Sequence, residues 1–290
     1  MNTPPLPKWI KKALKRKKLA ESLKEALYSR NLYTVCEEAR CPNIGECFSQ
    51  KVATFLIMGN ICTRNCKFCA INKGIPKEID ETEPIRIAKE IKKLNLNYVV
   101  ITSPTRDDLE DGGAGFFEKT VKAIKKLNKG IKVEVLIPDF KGNLDSLKKV
   151  LSSNIDVLGH NIETVPRLYP KVRLGAIYER SLKILEEASQ NSRLLTKSGF
   201  MVGLGEEKRE VIELLKELKR VGCKIVTIGQ YFPPSLKHLP VKRYLSYEEF
   251  KELERIAFEI GFDYVASGPL VRSSYKSATI FYFVKGKTKS

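Results

Sequence analysis

The chain has 290 residues, with 52 Lys+Arg against 34 Asp+Glu for a net charge of +18, and is 42% hydrophobic and 30% charged. That is too much apolar material for a disordered chain and enough for one barrel-sized domain. No run of about 18 apolar residues is present, which excludes a membrane-spanning helix, and Met1-Asn2-Thr3-Pro4-Pro5-Leu6-Pro7 lacks the apolar stretch of a signal peptide. A cytoplasmic location is expected, and with it reduced thiols rather than disulfides.

Residues 8–30 read as a basic helix. Leu14, Leu19, Leu23 and Leu27 form its apolar stripe, and Lys11-Lys12 and Lys15-Arg16-Lys17-Lys18 its solvated face. A pI near 9.5 suits nucleic acid, an acidic protein partner or a Lys-rich thermophile surface alike. Residues 31–50 hold Cys, Pro and Gly without periodicity and read as a loop held by something other than a core. From residue 53 apolar runs alternate with amphipathic segments. Ala53–Met58 precedes the helix Pro84–Asn95, Tyr98–Thr102 precedes Phe116–Asn128, and Ile131–Pro138 precedes Leu144–Leu151. Asp156–Ile162 precedes Tyr178–Ala188, Leu195–Val202 precedes Lys208–Val221, and Lys224–Tyr231 precedes Ser246–Ile260.

Six successive strand–helix units predict a parallel sheet with right-handed crossovers, two units short of a closed eightfold barrel. No Gly-x-Gly-x-x-Gly follows the first strand, which argues against a dinucleotide fold. Tyr264–Leu270 reads as one more extended segment, and Val271-Arg272-Ser273-Ser274-Tyr275 as a polar turn. The expected fold is α/β, a partial (β/α)6 TIM-like barrel over 51–262. Extensions at 1–50 and 263–290 complete one compact unit.

Six of the seven cysteines fall between positions 36 and 69, as two triplets. Cys36, Cys41 and Cys47 are spaced C-x4-C-x5-C, and Cys62, Cys66 and Cys69 are spaced C-x3-C-x2-C. Close spacing lets one loop wrap several thiolates around an inorganic core. Structural zinc takes four ligands, usually from C-x2-C pairs, and the two histidines (His160, His238) cannot complete two such sites. Two-cluster ferredoxins supply four cysteines per cluster. With three, one iron stays open to substrate or cofactor, and iron–sulfur chemistry is the favoured reading.

Cys62-Thr63-Arg64-Asn65-Cys66-Lys67-Phe68-Cys69 lies just beyond the first predicted strand, at the edge where parallel α/β barrels build active sites. It resembles the motif of the radical S-adenosylmethionine (SAM) superfamily, in which three cysteines hold a 4Fe–4S cluster whose fourth iron chelates SAM. Cys36-x4-Cys41-Pro42-Asn43-Ile44-Gly45-Glu46-Cys47 resembles the auxiliary-cluster motif of the lipoyl synthase family. Further matching pieces are Pro7-Lys8-Trp9, Arg106-Asp107-Asp108-Leu109 with Asp111-Gly112-Gly113-Ala114, and His160-Asn161-Ile162-Glu163-Thr164. Lys197–Glu206, His238–Tyr244 and Arg272-Ser273-Ser274-Tyr275 continue the series in order. Phe48, where the family usually has Trp, and Ser103-Pro104-Thr105 depart from the pattern without touching a ligand position.

The resemblance implies two 4Fe–4S clusters and SAM. One cluster would bind SAM on Cys62, Cys66 and Cys69; the other, auxiliary and sacrificial, would rest on Cys36, Cys41, Cys47 and a serine, Ser274 or its neighbour Ser273. Iron holds a serine oxygen less tightly than a thiolate, which suits a cluster that must come apart. Asn161 and Glu163 are implied SAM contacts, at the inward-facing end of the fourth predicted strand, and Arg173 suits the SAM carboxylate. His160 then faces the other way as a structural residue, and Cys223 reads as a buried thiol. Gly203-Leu204-Gly205-Glu206 and Gly112-Gly113 read either as close approaches to a ligand or as plain turns.

The implied reaction cleaves SAM to a 5′-deoxyadenosyl radical, which takes hydrogen from carbon 6 of an octanoyl chain amide-linked to a carrier-protein lysine. Sulfur from the auxiliary cluster joins that carbon, and a second SAM repeats the step at carbon 8. Implied partners are an octanoylated lipoyl-carrier domain or the glycine-cleavage H protein, and a low-potential donor such as ferredoxin or flavodoxin. Neither nucleic acid nor membrane is expected. The competing readings are a radical SAM enzyme that inserts sulfur into another substrate, and a non-enzymatic iron–sulfur or nucleic-acid-binding protein. The latter lacks any recognition motif here. The +18 charge suits electrostatic steering of an acidic carrier.

Overall fold

The computed structural model describes residues 5, 7, 32–38, 41, 43, 47 and 52–287. The basic helix expected at 8–30 lies outside the described residues. Strand β1 (Tyr33–Thr34) runs antiparallel against β2 (Val52–Leu56). In parallel there follow β3 (Tyr98–Thr102), β4 (Lys132–Leu136), β5 (Val157–Gly159), β6 (Leu195–Val202), β7 (Ile225–Gln230) and β8 (Tyr264–Gly268). Strand order in this sheet equals chain order, so it begins at β1 and ends, unclosed, at β8. The crossover helices are α1 (Glu83–Lys93), α2 (Ala114–Leu127), α3 (Leu144–Leu151), α4 (Tyr178–Ser189), α5 (Lys208–Arg220) and α6 (Tyr247–Ile260). A further helix, α7 (Ser277–Lys287), follows β8.

All six expected units are present. Their boundaries are written in cap chemistry: α6 starts at a reciprocal Ser246/Glu249 capping box and stops at Gly261, whose φ of 106° few other residues adopt. One segment carries more structure than the sequence pattern suggests: Tyr33–Thr34 joins the sheet, although two residues are too few to show a period. The extended segment expected from Tyr264 is a seventh parallel strand, Tyr264–Gly268, paired with β7 from Ile225 to Gly229.

Side chains alternate between two sides of the sheet. Phe55, Val99, Ile101, Val133 and Val135 point outward, onto Ile87 and Ile91 of α1 and Phe117, Val121 and Ile124 of α2. The opposite set at the strand beginnings, Val52, Tyr98, Val157, Leu195 and Ile225, packs instead on Ile280, Phe281 and Val284 of α7. Helix α7 therefore plugs the N-terminal mouth of the barrel. Above the plug, Lys197 (2% exposed) places Nζ 2.9 Å from Glu134 Oε1 and donates to Ser277 Oγ at 2.8 Å. Tyr98 donates its hydroxyl hydrogen to Glu134 Oε2 at 2.6 Å. With one mouth filled, the site belongs to the other.

Candidate active site

Leaving β2, the chain turns through two left-handed residues, Met58 (φ 63°) and Gly59 (φ 80°). Glu83 of α1 fixes that turn by accepting the Met58 N–H at 2.8 Å. Ile61–Cys62 then pairs in parallel with Asn72–Lys73, and the loop between them carries the second cysteine triplet. Cys62 is buried, while Cys66 and Cys69 are half-buried. Burial pushes the Cys66 thiol up to about 11; Arg173 opposes this, and Cys69, Cys62 and Glu163 add to it. Cys69 is raised too, by burial, with Lys73 and the Ile71 N–H opposing and Cys62 and Glu163 adding.

Arg64, inside that loop, is 7% exposed and holds it to two others. It grips Asp107 with Nε at 2.7 Å and a second nitrogen at 2.9 Å, and reaches the fully buried Asp139 at 2.6 Å. Thr63 donates to Thr105 O and accepts from Asp107 N at 2.9 and 3.0 Å. On the far side His238 Nε2 lies 3.2 Å from Cys69 O, and Leu239 N donates to Lys67 O at 3.3 Å. Arg64, Asp107, Asp139 and Glu83 were not legible as site residues, because their partners lie tens of residues away. The available signal was an arginine enclosed between cysteines with no acidic residue near it in sequence.

Asn161, Glu163 and Arg173 gather on the same side. Glu163 has φ 69°, a strained value for a non-glycine residue. Its backbone is bonded to β6 at Gly199 O and Met201 N (3.0 and 2.9 Å). Burial raises its carboxyl group, opposed by Arg173 and by a hydrogen bond from Asn161. Gly199 is required here. A Cβ there would overlap Thr227 Oγ1 and come within 3.1 Å of Asn161 Oδ1. Arg173 donates to Tyr169 OH at 2.7 Å and Ser181 Oγ at 2.9 Å, and lies over the Tyr169 ring. His160 is fully buried, with Nδ1 2.9 Å from Ile137 O, and burial pushes its pKa down to about 3.

The first triplet lies beside the β1–β2 edge. Cys36 falls in a helical turn, Val35–Glu38, directly after β1. Burial pushes its thiol up to about 12, with Cys41 and Cys47 adding and hydrogen bonds from the Thr54 backbone and hydroxyl opposing. Thr54 lies on the inward face of β2. Cys41 is raised by burial, against the Asn43 N–H and the Arg272 guanidinium. Asn43 Nδ2 donates to Leu270 O at 2.6 Å, and the Val271 carbonyl rests on Gly229, where any Cβ would overlap it. The turn carrying the half-buried Ser273 and Ser274 is thus drawn to the first triplet from the β8 side.

Within each triplet the thiols influence one another, yet no three His, Cys, Asp or Glu among the described residues close on a single-ion position. The glycine segments form turns. Glu206 accepts from Gly203 N and Leu204 N at 2.5 and 2.9 Å, and Gly203 leaves room for Gln230 and Arg243 O. Asp111 accepts from Gly113 N and Gly115 N at 2.9 and 2.8 Å, while Gly112 and Gly113 pack on Phe140 and Met58. Cys223 is fully buried in the core.

The family profile described as the radical SAM superfamily matches residues 56–218. Lipoyl synthase of Caldicellulosiruptor saccharolyticus is 56% identical over 270 residues, covering 93% of this chain and 95% of that one. Lipoyl synthase of Aquifex aeolicus is 54% identical over 269 residues, covering 92% and 97%. Among solved structures, methylornithine synthase aligns at a TM-score of 0.57 and 16% identity over 88% of this chain and 84% of that one. A maturase of the FeFe-hydrogenase aligns at 0.58 and 16% over 94% and 74%. These two show the shared fold.

Proposed function

Since the chain belongs to the lipoyl synthase family of the radical SAM superfamily, we propose the following division of labour among its residues. The family brings SAM and a 4Fe–4S cluster with it, and sulfur insertion on a lipoyl carrier as the activity. We assign Cys62, Cys66 and Cys69 to that cluster, and Cys36, Cys41 and Cys47 with Ser274, or Ser273, to a second, auxiliary one. What supports this is that hydrogen bonds draw both triplets toward the ends of the parallel strands: Asn43 donates to Leu270 O just beyond β8, and Leu239 N and His238 hold the Cys62–Cys69 loop beyond β2.

The donor sets fit. Each offers three thiols from a short span, and each has different non-cysteine chemistry beside it. When bound, the first cluster supplies the electron that cleaves SAM, and the second supplies the two sulfurs. Asn161, Glu163 and Arg173 would hold the amino-acid and ribose groups of SAM; Glu163 gives negative charge and Arg173 positive charge at the same place. Arg64 keeps the cysteine loop still while it does so. Helix α7 keeps water from entering from below, which protects a radical at carbon 6 or carbon 8 of the octanoyl chain. The octanoyl chain would arrive on the lysine of a lipoyl-carrier domain or glycine-cleavage H protein, and electrons from ferredoxin or flavodoxin. No helix among the described residues is long and apolar enough to cross a membrane.

The test is an anaerobic incubation of reconstituted protein with SAM, a strong reductant and an octanoyl-lysyl peptide, read by mass spectrometry. The wild type is expected to add two sulfurs. Cys36→Ala is expected to cleave SAM and add none, and Cys62→Ala to do neither. SAM cleavage with an untouched peptide in the wild type would favour sulfur insertion into another substrate.

A further inference from the structure

Large apolar side chains half-covered at a surface are ordinary. Of eight exposed ones among the described residues, six lie between 41% and 58% exposure, whereas Ile75 stands at 93% and Leu236 at 100%. Both outliers sit at the mouth of the site. Ile75 follows Gly74, whose N–H donates to Cys62 O at 3.2 Å. Leu236 lies between Ser235 and His238, whose side chains are bonded at 2.9 Å, and His238 reaches Cys69 O at 3.2 Å. The two segments are therefore fastened to the same cysteine loop. Pro76, Pro233 and Pro234 restrict the backbone beside them, so both tips are held out rather than left loose.

The charge around them is predominantly positive. Lys67, Lys73, Lys77 and Lys237 are exposed, and residues 231–243 contain no acid; Glu78 is the single acid within residues 65–78, with the exposed Asp80 and Glu81 just beyond it. A small substrate gains nothing from a rim outside the cavity. A lysine-linked acyl chain must enter the barrel while its own folded domain stays outside, resting on whatever surrounds the opening.

We propose that Ile75 and Leu236 are two apolar contacts of a docking surface for the lipoyl-carrier domain, with the surrounding lysines facing acidic residues of that domain. This rests on the function proposed above and adds where the carrier body sits. Two apolar points inside a basic ring combine a desolvated anchor with charges that steer the encounter.

Ile75→Asp, Leu236→Asp and Lys237→Glu, singly and combined, test it. Fluorescence anisotropy gives the Kd for an octanoylated carrier domain, and mass spectrometry the rate of sulfur insertion into a free octanoyl-lysyl peptide. The combined variant is expected to bind the domain at least tenfold more weakly while keeping the peptide rate within twofold of wild type. An unchanged Kd would overturn the proposal. So would an equal loss on domain and peptide, which would place these residues in the chemistry instead. A wild type that modifies neither substrate would remove the proposed function, and the docking surface with it.

Discussion

Arg64 carries more of the site than its place between ligands suggests. Its partner Asp139 is fully buried, so losing the guanidinium removes that carboxylate's nearest cation and leaves it with Arg180 at 3.4 Å and the Lys141 N–H at 3.2 Å. Breaking a buried pair from one side costs about 3–5 kcal/mol, and the partners that remain here reduce that. Arg64→Met is expected to lower the unfolding temperature measurably and to reduce iron bound on reconstitution, although no cysteine has changed. Glu83 offers a sharper prediction. Burial pushes its carboxyl group from 4.5 up to about 7, with the Met58 N–H and Arg86 opposing. Between those values the folded chain keeps a proton that the unfolded chain has lost, so this group makes stability fall as pH rises from about 4.5 to about 7. Glu83→Gln still accepts the Met58 N–H and cannot ionise. Urea unfolding at several pH values should give it a shallower decline than wild type across that window; parallel curves would remove this account.

The six strand–helix units were readable because each helix shows a 3.6-residue apolar stripe and each strand a dense apolar run. The Cys62–Cys69 loop was recognisable through its resemblance to the radical SAM motif, and the family profile matches across it. What was not readable depends on partners distant in sequence. Strand β1 pairs through two residues, too few to show a pattern, whereas β8 was expected as an extended segment and only its parallel pairing with β7 was not. Likewise Lys197 and Glu134 each break the pattern of an apolar strand, and only the third dimension shows that they answer one another. Lys197→Met should destabilise the fold by about 3–5 kcal/mol, because Glu134 stays buried with the Tyr98 hydroxyl but without a cation. Replacing both, Lys197→Met with Glu134→Leu, should recover much of that loss, as apolar substitutes for buried pairs generally do. Chemical denaturation of the two variants checks the pair, and an additive double variant would mean the two side chains act independently.

Over the whole molecule the surplus of positive charge reaches its partner through water, so salt must modulate it. The screening length shrinks from about 10 Å at 0.1 M salt to about 3 Å at 1 M. Sulfur insertion into a carrier domain should slow several-fold across that range at sub-saturating carrier, while insertion into a short peptide changes little. Equal responses would mean that the charge serves solubility alone. The plug at the base of the barrel has a different bearing. The inward residues of β2 through β7 are covered by α7, which follows all of them in the chain. During synthesis on a ribosome the sheet can therefore assemble strand by strand and still hold a wet interior. Lys197 and Glu134 face water until Ser277 has emerged. Drying of the chamber, and with it the final gain in cooperativity, is deferred to the end of translation, so a nascent chain cut short before residue 277 would be handed to proteases with its floor open.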